Sequence, residues 1–212
     1  MAFDIGFNFR QTAVFVTDPA YGVPVLGEAF PHTYTNVNGY SVNGGWDTSI
    51  SIYDNNAAND PRIAGSNYNG SVGNNGVVKQ FKVDLSSGSA PGAGTYDVDV
   101  AMGETGFADI QDFKILDTST VLIDGTNGGA GYVTGSGHFI DATLANIVAS
   151  TTWTGTKATK TFATTLAAVG IGYDNVGGLS IVAHFRLTLQ DSGARRSAFL
   201  PFFVPGLLST PS

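Results

Sequence analysis

Apolar and polar side chains alternate with period 2 along most of the chain, the pattern of strands with one buried and one wet face. Phe3, Ile5, Phe7 and Phe9 alternate with Asp4, Gly6, Asn8 and Arg10, and Phe81, Val83 and Leu85 alternate with Lys82 and Asp84. Tyr96, Val98, Val100 and Met102 oppose Asp97, Asp99 and Ala101. Leu179, Ile181, Ala183, Phe185, Leu187 and Leu189 oppose Ser180, His184, Arg186 and Thr188. Weaker patterns predict strands at 12–17, 34–42, 48–53, 110–116, 120–124, 131–134, 138–144, 157–163 and 165–173. One helix is expected, over 142–150, on poor apolar spacing. Clusters of Gly, Asn, Asp and Ser at 67–76, 86–94 and 125–131 supply turn positions at little steric cost. The expected fold is all-β: a two-sheet antiparallel β-sandwich of jelly-roll type with long Gly/Asn-rich loops. A single open sheet would leave one apolar face in water.

No Pro/Ser/Thr-rich linker divides the chain, so residues 1–191 read as one sandwich domain and 192–212 as an apolar C-terminal tail. Within that tail, Phe199, Leu200, Phe202, Phe203, Val204, Leu207 and Leu208 form an apolar strip interrupted by Pro201 and Pro205. The prolines argue against a central strand, and the apolar content argues against a free, solvated tail. The strip is expected to pack on a partner or back on the sandwich. Burying four such side chains contributes on the order of 6–10 kcal/mol before ordering costs.

Composition narrows the function. The 212 residues are 42% hydrophobic and only 13% charged, with 28 glycines, which suits a turn-rich β protein with a sizeable core. Seventeen acidic against ten basic residues give a net charge of −7, which removes nucleic acid and anionic membrane surfaces as expected partners. The absence of Cys excludes disulfides, thiolate metal sites and cysteine nucleophiles. The opening Met1-Ala2-Phe3-Asp4-Ile5-Gly6 lacks a basic segment followed by an apolar one, and no stretch reaches the ~18 apolar residues of a membrane span. Synthesis in the cytoplasm, without insertion into a membrane, is the expectation.

Catalytic signatures are sparse, and no enzyme activity is expected. His32, His138 and His184 stand apart without metal-ligand spacing and are expected in surface or capping roles. Gly135-Ser136-Gly137-His138 lacks the strand–turn–helix context of a reactive serine. Glu104, in Gly103-Glu104-Thr105-Gly106, is a rare glutamate just after a strand, without an assignable partner carboxylate. No phosphate-cradling glycine motif is present. The segment 54–62 is densest in oxygen ligands: Asp54, Asn56, Asn59 and Asp60 could together hold a structural Ca2+, or could simply build Asx turns. No other cofactor is expected. Arg62 is expected to fork onto a carboxylate within that loop. Among the aromatics, Tyr40, Trp46 and Tyr53 form a candidate glycan-binding group, with burial in the core or at a sheet edge as the competing reading.

Four blocks carry a resemblance. Phe3-Asp4-Ile5-Gly6, Gly39-Tyr40 through Trp46, Asp54-Asn55-Asn56 through Asp60-Pro61-Arg62-Ile63-Ala64-Gly65, and the pair Gln80 to Leu85 and Gly94 to Gly103 stand in the order of the short motifs of malectin-like, galactose-binding-type β-sandwich domains. The sequence resembles that group over roughly residues 2–104, with Asn55 where the group has Arg. The resemblance implies a sandwich of the kind found in sugar-binding modules, in noncatalytic domains joined to esterases and in structural proteins of tailed bacteriophages. From it and the apolar tail comes the leading expectation: a non-enzymatic bacteriophage virion protein, a capsid decoration (cement) or tail-associated component. Its partners would be copies of itself and other virion proteins such as a major capsid protein. A carbohydrate-binding module is the alternative.

Overall fold

The four segments with the strictest alternation lie inside the two sheets; three of them, 4–9, 94–104 and 181–189, are buried on both faces over much of their length, while 79–84 keeps a half-exposed face at Gln80, Lys82 and Asp84. The computed structural model of the chain describes residues 3–10, 22–54, 60–68, 77–149, 152–173 and 179–190. In chain order its strands are β1 Asp4–Phe9, β2 Val23–Val25, β3 His32–Thr35, β4 Ser41–Trp46, β5 Ser51–Asp54, β6 Gly65–Tyr68, β7 Lys79–Asp84, β8 Gly94–Glu104 and β9 Asp109–Gln111. There follow β10 Phe113–Asp117, β11 Thr120–Asp124, β12 Tyr132–Thr134, β13 His138–Ile140, β14 Asn146–Val148, β15 Ala158–Phe162, β16 Leu166–Ile171 and β17 Ile181–Leu189. The described residues contain no α-helix; two short 3-10 turns, Pro61–Ile63 and Asn127–Gly129, are the helical elements.

Eight strands form a jelly roll. One layer has the order β1-β17-β8-β15 and the facing layer β7-β16-β10-β11. Taken in chain order, these eight cross from layer to layer at every step except the β10–β11 hairpin, which is the double Greek-key path. β3 and β4 extend the second layer beside β7; β2, β6 with β5, and β13 with β14 extend the first. Every pairing between named strands is antiparallel except β1 with β2. β9 and β12 make a separate two-stranded ribbon.

Aromatic side chains bridge the two layers. Phe81 on β7 meets Phe7 and Phe9 on β1 with ring centroids 5.0 and 4.9 Å apart, and lies 5.7 Å from Trp46. Phe7, Phe9, Trp46, Phe81 and Phe185 are all 0–1% exposed, so the interior is close to dry. The indole N–H of Trp46 donates to the amide oxygen of Asn67 at 2.9 Å, satisfying the one polar atom that this ring buries.

Several local expectations are revised. The span 34–42 is two strands, because Asn36 Oδ1 accepts from the Asn38 and Tyr40 N–H groups, both at 3.0 Å, and turns the chain between β3 and β4. The span 110–116 divides into β9 and β10. The expected helix at 142–150 is instead a turn followed by β14: Asp141 Oδ1 accepts from the Thr143 and Ala145 N–H groups, and Leu144 sits at φ 66°. In β17 a bulge shifts the register between Val182 and His184. Val182 therefore joins the main core and Ala183 a second apolar cluster with Ile63, Ala101, Phe139 and Trp153. The expected strand at 12–17 lies outside the described residues.

Candidate functional site

The outward face of the larger sheet carries the chemistry. Cross-strand register aligns three polar rows on it: Asp4, Thr188 and Asp97; Gly6, Arg186 and Asp99; Asn8, His184 and Ala101. Arg186 grips Asp4 through two hydrogen bonds, Nε to Oδ1 at 2.7 Å and Nη2 to Oδ2 at 2.5 Å. The 3-10 turn Pro61–Ile63 and the segment around Trp153 pack over the far end of this face.

Asp60 and Arg62 tie that cover down. Asp60 Oδ1 caps the turn by accepting from Arg62 N–H at 3.0 Å, and both its oxygens take the Arg62 fork, at 3.0 and 2.6 Å. Asp60 Oδ2 also accepts from Trp153 N–H at 2.6 Å, while Arg62 Nη2 donates to the Trp153 carbonyl at 2.7 Å. Burial opposes ionisation of Asp60, but the Arg62 fork and the two backbone donors outweigh it and hold the carboxyl below the usual range. The expected fork from Arg62 is therefore present.

Two of the four expected Ca2+ ligands are engaged with arginines. Asp60 is spent on Arg62 and Trp153, and Asp54 faces Arg10 at 3.6 Å with both side chains at most 8% exposed. Two carboxylates already matched by guanidinium groups are poor Ca2+ ligands, since the cation would have to displace the arginines and leave them buried without a counter-charge. Asn56 and Asn59, the other two candidates, lie outside the described residues. Among the described residues no cluster of three or more His, Asp or Glu side chains could hold a metal ion.

His184 departs from its expected surface role. It is fully buried beneath this layer, 3.8 Å from Asp99, and neither ring nitrogen has a hydrogen-bond partner among the described residues. Desolvation pulls its pKa down to about 4, against the opposing pull of Asp99.

The glycan group is not assembled as expected. Trp46 is 1% exposed in the core and offers no face to a sugar. Tyr40 is half-buried against Phe3, ring centroids 5.5 Å apart. Tyr53 alone lines a pocket, about 250 Å3 in volume, at the β5–β6 corner of the outward face. The β5–β6 register pairs Ser51 with Tyr68 and Tyr53 with Ser66, which puts the two tyrosines diagonally on one face. Tyr68 in turn pairs with Ile181 on β17, and Leu179, Phe107, Glu104 and Asp109 complete the wall.

Glu104 reaches this wall from the end of β8, next to Gly103 at φ 133°, a conformation that side-chain-bearing residues rarely adopt and that interrupts the alternation there. Glu104 is 6% exposed, its Oε1 has no hydrogen-bond partner, and burial with the nearby Asp109 charge pushes its pKa up. Asp109 Oδ1 accepts from the Ile110 and Leu179 N–H groups at 2.9 and 2.8 Å, fixing one side of the pocket. The glutamate singled out in the sequence thus has its second carboxylate five residues on, across a turn that alternation does not register. The seven apolar tail residues, Phe199, Leu200, Phe202, Phe203, Val204, Leu207 and Leu208, lie outside the described residues. No protein-family model matches the chain, and no curated protein matches it significantly.

Proposed function

We propose that the protein is a non-enzymatic structural component of a bacteriophage virion, a capsid decoration or tail-associated protein, in which a rigid jelly roll presents an apolar C-terminal segment for assembly. The observation that carries this reading is that all eight jelly-roll strands lie within residues 4–189, so the apolar run 199–208 follows a double sheet that already has its full set of strands. A run of that composition is best used against another surface. Exposed valines on outlying strands, Val121 on β11, Val133 on β12 and Val148 on β14, at 43, 72 and 62% exposure, offer further contact points for copies of the chain or a capsid protein. The resemblance of residues 2–104 to malectin-like domains of phage structural proteins agrees with it. Glycan recognition, the alternative, keeps only Tyr53 of its three aromatics.

Light scattering at micromolar concentration on the full chain and on a chain ending at Ala198 tests the reading. Self-association of the full chain beside a folded monomeric truncation is the expected result. A truncation that associates as the full chain does removes the role of the tail. Full-length Phe202→Ser/Leu207→Ser, expected to be monomeric, separates loss of assembly from loss of fold.

A further inference from the structure

We infer that the pocket lined by Tyr53, Tyr68, Phe107 and Glu104 binds an organic ammonium headgroup, a site separate from any assembly contact of the tail. Tyr53, Tyr68 and Phe107 line a small volume, aromatic rings attract a soft cation through their electron-rich faces, and Leu179 and Ile181 supply apolar surface for its alkyl groups. The volume, about 250 Å3, falls below the roughly 300–1,000 Å3 of pockets for drug-sized ligands and suits a single headgroup.

Charge selects the sign of the ligand. Glu104 and Asp109 are the charged residues among the described lining residues, which include no Lys or Arg. The sequence segments 55–59, 69–76 and 174–178, which adjoin the lining residues along the chain, contain no basic residue either. An anion would meet two carboxylates. A polyol is served less well: Asp109 Oδ1 is committed to two backbone donors, and the described lining residues offer only the Tyr53 and Tyr68 hydroxyls beside the carboxyl groups, with no amide or guanidinium among them. The unpartnered Oε1 of Glu104, on a side chain more than nine-tenths buried, is the second, independent sign: a buried carboxylate without a full set of partners is stabilised by a cation beside it.

Titration calorimetry on the full chain tests this with choline, with its neutral analogue in which carbon replaces nitrogen, and with methyl galactoside. Choline is expected to bind saturably and at least about tenfold more tightly than the neutral analogue. Glu104→Gln and Phe107→Ala should each weaken choline at least about fivefold. Phe107 is 59% exposed, so its variant should keep the wild-type melting temperature. A peptide bearing trimethyllysine, run in parallel, distinguishes a headgroup presented on a protein from a free small cation. Equal binding of the neutral analogue, preference for the galactoside, no binding of any ammonium probe, or indifference to both substitutions would each overturn the inference.

Discussion

Two buried regions of this protein are held in opposite ways. Between the sheets, Phe7, Phe9, Trp46, Phe81 and Phe185 fill the interior, and its cohesion comes from apolar area and ring packing. On the outward face of the larger sheet, a layer just as enclosed is built from Asp60, Arg62, Asp99 and His184, with Arg10 facing Asp54 at its margin. The first region tolerates any proton concentration. The second contains the Asp60–Arg62 pair and the buried neutral imidazole of His184, so its stability depends on pH.

Four substitutions break or sharpen this contrast. Phe81→Ala, which removes the ring that touches four aromatic neighbours, should cost about 4 kcal/mol at every pH, read by urea unfolding at pH 5 and 7.5. Asp60→Ala should cost about 3 kcal/mol at neutral pH, because Arg62 and the Trp153 N–H lose their acceptor. Unlike Phe81→Ala, it should cost less as acid neutralises the wild-type carboxylate. A double-mutant cycle with Arg62→Met should recover part of the loss; strict additivity would show that the fork carries no coupling.

His184→Leu should act through pH. A histidine held below its ordinary pKa favours the folded state fully above about 6.5, and that contribution drains away as pH falls from 6.5 toward about 4. The variant should therefore gain on the wild type by about 3 kcal/mol across that window and show no such gain between pH 7 and 8. Unfolding curves at pH 4, 5.5 and 7.5 check it, and parallel profiles would mean that the imidazole is not the acid-sensitive group.

The same contrast explains what was legible in the sequence. A dry interior writes itself as alternation, and β1, β7, β8 and β17 were readable from it, as was the two-layer class of fold. The bulge in β17 was not, because both Val182 and Ala183 are apolar and either could have belonged to the core. The break between β3 and β4 was signalled by Asn38-Gly39, a strong hairpin dipeptide that the continuous reading of 34–42 passed over. For Trp46 the sequence left open a glycan-binding face or burial in the core; Gly44 and Gly45 before it pair with Val83 and Lys82 and carry the indole into the core. The outward layer is less legible still: Asp60 and Trp153 are 93 residues apart, and no local pattern announces a hydrogen bond over that distance. Other acidic residues also act at a distance along the chain. Asp117 accepts from the Ala163 and Thr164 N–H groups and Asp141 from Thr156 N–H, so part of the negative charge serves to fasten loops.

The pairing of β1 with β17 sets a timetable for synthesis. Thr188 and Asp4, hydrogen-bonded neighbours in the finished sheet, are 184 residues apart in the chain. At roughly 5–20 residues per second, β1 emerges from the ribosome some 10–40 s before the strand it pairs with. During that interval β1 has β2 beside it but neither β17 on its other edge nor a closed core over Phe7 and Phe9, and β8 waits for the same partner. The larger sheet is therefore assembled from its middle last, so a nascent chain stalled before residue 181 would hold unjoined strands whose free edges invite a neighbouring copy.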